Sequence, residues 1–140
     1  MQHRIILIEN NANLRQLLCS VLRHHGYMVD VANRLEPGIQ ALLNNAPDLI
    51  LLGLDIPAEN PLDAITFLTA ERLTHDIPVI AFTRRCDCVT MNESCKRGAS
   101  WVFNIPVTAR ELLKKVSVVL HPPETIWEQA KANQPIQYAR

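Results

Sequence analysis

The chain has 140 residues, 48% of them hydrophobic, with 14 Lys plus Arg against 14 Asp plus Glu and a formal net charge of zero. That length suits a single domain able to bury its own core. The neutral balance excludes a nucleic-acid binder that works through a broad basic surface, because phosphate contacts dominate such affinity, and no charge run offers a polybasic membrane patch or an acidic tail. The segment Met1–Glu9 lacks the length and the small-residue cleavage site of a signal peptide. The expected compartment is therefore the cytoplasm, with the four cysteines as reduced thiols.

In chain order, Arg4–Ile8 is a short apolar run that stops at Glu9-Asn10-Asn11, as a buried parallel strand with polar groups at its carboxyl end would. Asn11 or Asn13 is placed to cap the helix that follows. Leu14, Leu17, Leu18, Val21 and Leu22 recur at the spacing of an amphipathic helix, and Gly26 ends it in the left-handed region. Tyr27–Ala32 reads as a strand. Leu35–Leu43 reads as a helix carried by Leu35, Ile39, Leu42 and Leu43, and Asn44–Pro47 breaks it. Asp48–Pro57 is Asp-Leu-Ile-Leu-Leu-Gly-Leu-Asp-Ile-Pro, apolar without alternation, which requires cover on both faces and so the centre of a parallel sheet. Gly53 stands where that run gives out, leaving no side chain and room for another backbone to come close.

Beyond it, Ala58–Pro61 is a loop, and Leu62, Ile65 and Leu68 open a third helix. Thr74-His75-Asp76 turns the chain into a strand over Ile77–Thr83. Arg84–Gly98 is polar and the least periodic of the expected helices. Trp101–Phe103 is a fifth strand closed by Ile105-Pro106, and Thr108 caps a last helix turning Leu112, Leu113, Val116 and Val119 inward. Strands alternating with helices under right-handed crossovers make a doubly wound α/β sheet. The domain is expected over residues 1–120. His121-Pro122-Pro123 begins a tail or linker over 121–140, with one more short helix in Glu124–Asn133 that carries Trp127 as an anchor.

Four strand ends, Glu9-Asn10, Gly53, Thr83 and Ile105-Pro106, together with the stretches Arg4–Arg15, Pro47–Pro57, Ile77–Thr83 and Arg97–Pro106, resemble the receiver domain of bacterial two-component response regulators over residues 4–120. The resemblance implies a flavodoxin-like three-layer α/β/α sandwich with a five-stranded parallel sheet. In that family two acidic residues after the first strand hold magnesium, and an aspartate ending the third strand accepts a phosphoryl group. A Ser or Thr ends the fourth strand, and Lys-Pro follows the fifth. The acceptor aligns with Gly53, which has no nucleophile. The acidic pair aligns with Glu9-Asn10, the lysine with Ile105, and the aromatic three residues before it with Val102; only Thr83 and Pro106 match. The expectation is a pseudo-receiver, not an enzyme, with magnesium binding weak or absent and no other cofactor. Its partner would be a protein (a histidine kinase, an effector domain or another regulator), met through Val89–Leu120, with a homodimer as one form. Neither nucleic acid nor membrane is expected to bind this domain itself.

Other residues offer alternatives. Asp55, two positions beyond Gly53, is a candidate displaced acceptor against the plainer reading of a solvated turn residue. Glu9 is a lone candidate metal ligand, or else it caps the following helix or faces water. Cys86, Cys88 and Cys95 are candidates for a thiol redox switch activated by neighbouring Arg84, Arg85, Lys96 or Arg97. Their spacing departs from paired metal ligands.

Overall fold

The computed structural model describes residues 2–85 and 87–121. Ten elements alternate: β1 (Arg4–Ile8), α1 (Ala12–His24), β2 (Met28–Ala32), α2 (Leu35–Asn44), β3 (Leu49–Gly53), α3 (Pro61–Ala70), β4 (Val79–Thr83), α4 (Cys88–Lys96), β5 (Trp101–Asn104) and α5 (Ala109–Leu120). The strands form one parallel sheet in the order β2-β1-β3-β4-β5, the order of the flavodoxin-like doubly wound fold. Register places Ile5 beside Leu49, Leu51 beside Ile80 and Phe82 beside Phe103. The polar ends of β1, β3, β4 and β5 are consequently neighbours along one edge.

Side chains alternate across the sheet, so the apolar runs supply two cores. Ile5, Leu7, Leu51, Ile80 and Phe82 pack with Leu18, Leu22, Leu112 and Val116 of α1 and α5. Ile6, Ile8, Ile50, Leu52, Val79 and Ala81 pack on the other face with Leu42, Ile65 and Leu68 of α2 and α3. Residues Leu49–Leu52 are wholly inaccessible to solvent, as a strand covered on both faces must be.

Helix ends follow the expected chemistry. Asn11 Oδ1 accepts from Leu14 N at 2.9 Å, Gly26 takes φ +100°, and Thr108 with Glu111 closes a capping box at α5. β4 begins at Val79 rather than Ile77; Pro78 has no amide to give, and it enters the ladder only by accepting from Ile50 N at 3.0 Å. Two leucines expected to face inward do not: Leu17 is 60% and Leu43 41% exposed. At about 100° per residue Leu17 stands on the opposite flank from Cys19, which takes the buried position in its stead. The polar stretch after β4 does form a helix, started by Asp87, whose carboxylate accepts from Val89 N at 3.0 Å and Thr90 Oγ1 at 2.7 Å. That helix buries only Ser94.

Candidate functional site

All five strands point their carboxyl ends at the same edge, where an open α/β sheet gathers its ligands and chemistry. The last residue of β3 is Gly53, and its φ is not positive. Backbone conformation therefore does not demand glycine here; what crowds the position is chiefly the end of a flexible side chain. A Cβ at position 53 would collide with Glu9 Oε1 and stand 3.3 Å from the Ile8 carbonyl oxygen. The sequence suggested room for another backbone; the neighbour that takes most of it is the carboxyl group of Glu9.

Glu9 is only 3% exposed, which removes facing water from its alternatives and leaves the one at the start of α1. Its amide donates to Ala32 O at 2.9 Å, and Oε2 accepts from Asn11 N at 2.7 Å, so the side chain folds over the turn leading into α1. Arg15 Nη1 braces that turn by donating to Glu9 O at 2.8 Å and Asn10 O at 3.3 Å. Burial pushes the Glu9 carboxyl above its ordinary value. The Asn11 amide and the charges of Arg84 and Arg15 oppose that rise, and the charge of Asp55 adds to it.

Asp55 is not a solvated turn residue. Its side chain keeps 25% exposure, and both oxygens are engaged across the edge. Oδ1 accepts from Thr83 Oγ1 at 2.9 Å and Oδ2 from Arg84 N at 2.7 Å; Thr83 Oγ1 in turn accepts from Arg85 N at 3.1 Å. Arg85 Nε lies 3.9 Å from Oδ1. Thr83 itself is buried. On β5, Asn104 Oδ1 is buried with no donor among the described residues, next to the cis Ile105–Pro106 peptide. The edge thus assembles Glu9, Gly53, Thr83 and, unforeseen as a hydrogen-bonding centre, Asp55. The signal for Asp55 was only its position two residues past a strand end.

The thiols lie elsewhere. Cys88 and Cys95 are exposed and reduced at opposite ends of α4, while Cys86 lies outside the described residues, as do Trp127 and the tail expected over residues 122–140. Seven residues of helix separate the first two by about 10.5 Å of rise, beyond the roughly 7 Å limit for a disulfide, so they do not pair while α4 is helical. Among the described residues no group of three or more His, Cys, Asp or Glu is clustered as a metal site, and no helix is long and apolar enough to cross a membrane. Within Val89–Leu120, Val89 is 76% and Trp101 42% exposed, with Lys115 Nζ 3.5 Å above the Trp101 ring.

A doubly wound sheet of this order, with acids and a buried hydroxyl at the carboxyl ends of its central strands, defines the receiver-like class of α/β domains. Residues 5–117 match the family described as response regulator receiver domain, and the chain belongs to that family. It is 30% identical over 120 residues to the phosphate regulon transcriptional regulatory protein PhoB of Klebsiella pneumoniae, covering 86% of this chain and 52% of that protein. It is 28% identical over 116 residues to the DNA-binding response regulator MtrA of Mycobacterium leprae (strain TN), covering 83% and 50%. The chain spans about half the length of the curated relatives it matches. The fold is that of the CheY-like receiver domain protein from Methanospirillum hungatei JF-1, with a TM-score of 0.80 at 21% identity over 90% of this chain and 99% of that one. Chemotaxis response regulator CheY4 of Vibrio cholerae superposes with a TM-score of 0.79 at 17% identity, covering 85% and 99%.

Proposed function

We propose that this chain is a pseudo-receiver, a signalling module that has lost phosphoryl-transfer chemistry and acts by protein–protein contact. The observation that carries the reading is the Glu9 carboxyl resting in the space a side chain at position 53 would need. By the family resemblance, that is where the acceptor aspartate would stand. Position 53 therefore lacks a nucleophile, and the Glu9 carboxyl end, which would have to swing aside for one, fills its place. A carboxylate with no side-chain partner at the β3 end also suits magnesium poorly. One Glu9 oxygen is held by Asn11 N, and both Asp55 oxygens are held by Thr83 and Arg84, so few lone pairs remain for a compact octahedral shell. The same engagement argues against Asp55 as a displaced acceptor.

The partner in this reading is a protein, meeting Val89–Leu120 as a kinase, an effector domain, another regulator or a second copy. The redox alternative now rests on Cys86 with Cys88 or Cys95, since Cys88 and Cys95 cannot reach each other.

The test is intact mass after incubation with magnesium and a small-molecule phosphodonor, beside a receiver that labels normally. The expected result is no added phosphoryl mass on this chain and full labelling of the control. A stoichiometric adduct that is acid-stable and base-labile overturns the proposal.

A further inference from the structure

We infer that Asp55 is a positioning residue: its carboxylate is a fixed internal anion that fastens the β4–α4 connection and thereby sets the posture of α4. The case starts from how little else holds that helix. α4 contributes one buried residue, Ser94, and exposes Val89, so apolar packing fastens it weakly. Arg84 and Arg85, which lead into it, are exposed.

Polar clasps hold its carboxyl end and the connection that leads into it. At the carboxyl end Arg97 Nη1 donates to Asp63 Oδ1 at 2.7 Å and Thr66 Oγ1 at 3.3 Å, and Thr69 Oγ1 donates to Arg97 O at 3.0 Å, tying α4 to α3. In the connection before α4 the clasp is Asp55. It takes the Thr83 hydroxyl on one oxygen and the Arg84 amide on the other, while the Thr83 hydroxyl holds the Arg85 amide. The last residue of β4 and the first two of the connection are thus ordered around one carboxylate, which is itself anchored because Leu54 N donates to Phe82 O at 2.8 Å. Charge-assisted hydrogen bonds of this kind are stronger than neutral ones, and this carboxylate is three-quarters shielded from water. No bond in the clasp involves residue 53 or residue 9, so the inference does not depend on the pseudo-receiver reading. Its consequence is that α4 is held in one arrangement by the chain's own anion, without an incoming one.

Amide hydrogen exchange on the full 140-residue chain tests this, with no phosphodonor present. Asp55→Ala is expected to speed exchange at the Arg84 and Arg85 amides and in the first turn of α4 by about tenfold, with Leu51 and Ile80 unchanged. Asp55→Asn, which keeps one carbonyl oxygen but not two, should give an intermediate increase. Thr83→Val should release Arg85 while leaving Arg84 protected. Excess sodium formate should restore protection in Asp55→Ala where sodium chloride of equal ionic strength does not, a rescue that a general loss of stability would not show. Unchanged exchange in the connection, a uniform rise through β3 and β4, or equal effects of formate and chloride would each overturn the inference.

Discussion

The interior of the sheet and its carboxyl edge are adjacent along the same strands, yet different forces set them. In the interior, Leu49–Leu52 and Val79–Phe82 are buried on both faces by helices, and the stabilising term is non-directional area removed from water. At the edge, one residue further along β3, shape is set by single polar atoms: Glu9 Oε1 against Gly53, Asp55 between Thr83 and Arg84. An interior of this kind tolerates exchange among hydrophobic residues of similar volume. The edge does not, because each hydrogen bond there depends on a particular donor or acceptor. Within a family of shared fold, function can therefore change at the edge while the interior stays recognisable.

The largest expected effect breaks the interior. Leu51→Ala removes a fully buried side chain from the core shared with α1 and α5, and should cost about 2–5 kcal/mol in denaturant unfolding. Because the core is common to the whole sheet, the loss should register equally at every probe. A smaller effect belongs to the edge. Gly53→Ala adds one carbon where the Glu9 carboxyl already lies and should cost about 1–3 kcal/mol. In a Glu9→Ala background most of that cost should disappear, a coupling of about 1 kcal/mol or more in a double-mutant cycle. Additive effects would show that the two residues do not compete for one space.

The contrast also explains what could be read in advance. Strand runs such as Ile5–Ile8 and Leu49–Leu52 announce themselves by composition, and caps such as Asn11 and Thr108 by a local pairing of side chain and amide. Alternating elements under a fixed crossover hand then leave few topologies, so the fold was legible in the sequence, and so was the set of strand ends that meet. Their contacts were not. Asp55 read as a turn aspartate because its partners, Thr83 and Arg84, are 28 and 29 residues away. Glu9 stayed open between capping α1 and facing water because nothing in its neighbourhood along the chain reports that a glycine 44 positions later makes room for it. Leu17 and Leu43 erred in the other direction, since three-and-four spacing locates a stripe but not its margins.

The finest probe of the edge is the protonation of Glu9. Its carboxyl titrates above the ordinary value of 4.5, chiefly because burial penalises the charged form. The folded state therefore holds that proton more tightly than the unfolded state does. The contribution of this group to stability is fully favourable below 4.5 and declines as pH rises through the folded value, leaving a penalty at neutral pH. Glu9→Gln cannot ionise, yet its side-chain oxygen can still accept from Asn11 N. Thermal unfolding of the two proteins across pH should coincide in acid and separate above 4.5, with the glutamine variant melting higher at neutral pH. Subtracting one curve from the other cancels the carboxylates they share, so the difference isolates this one group. A gap that stayed constant with pH would mean that the charge of Glu9 is compensated at the edge, and that shape alone couples it to Gly53.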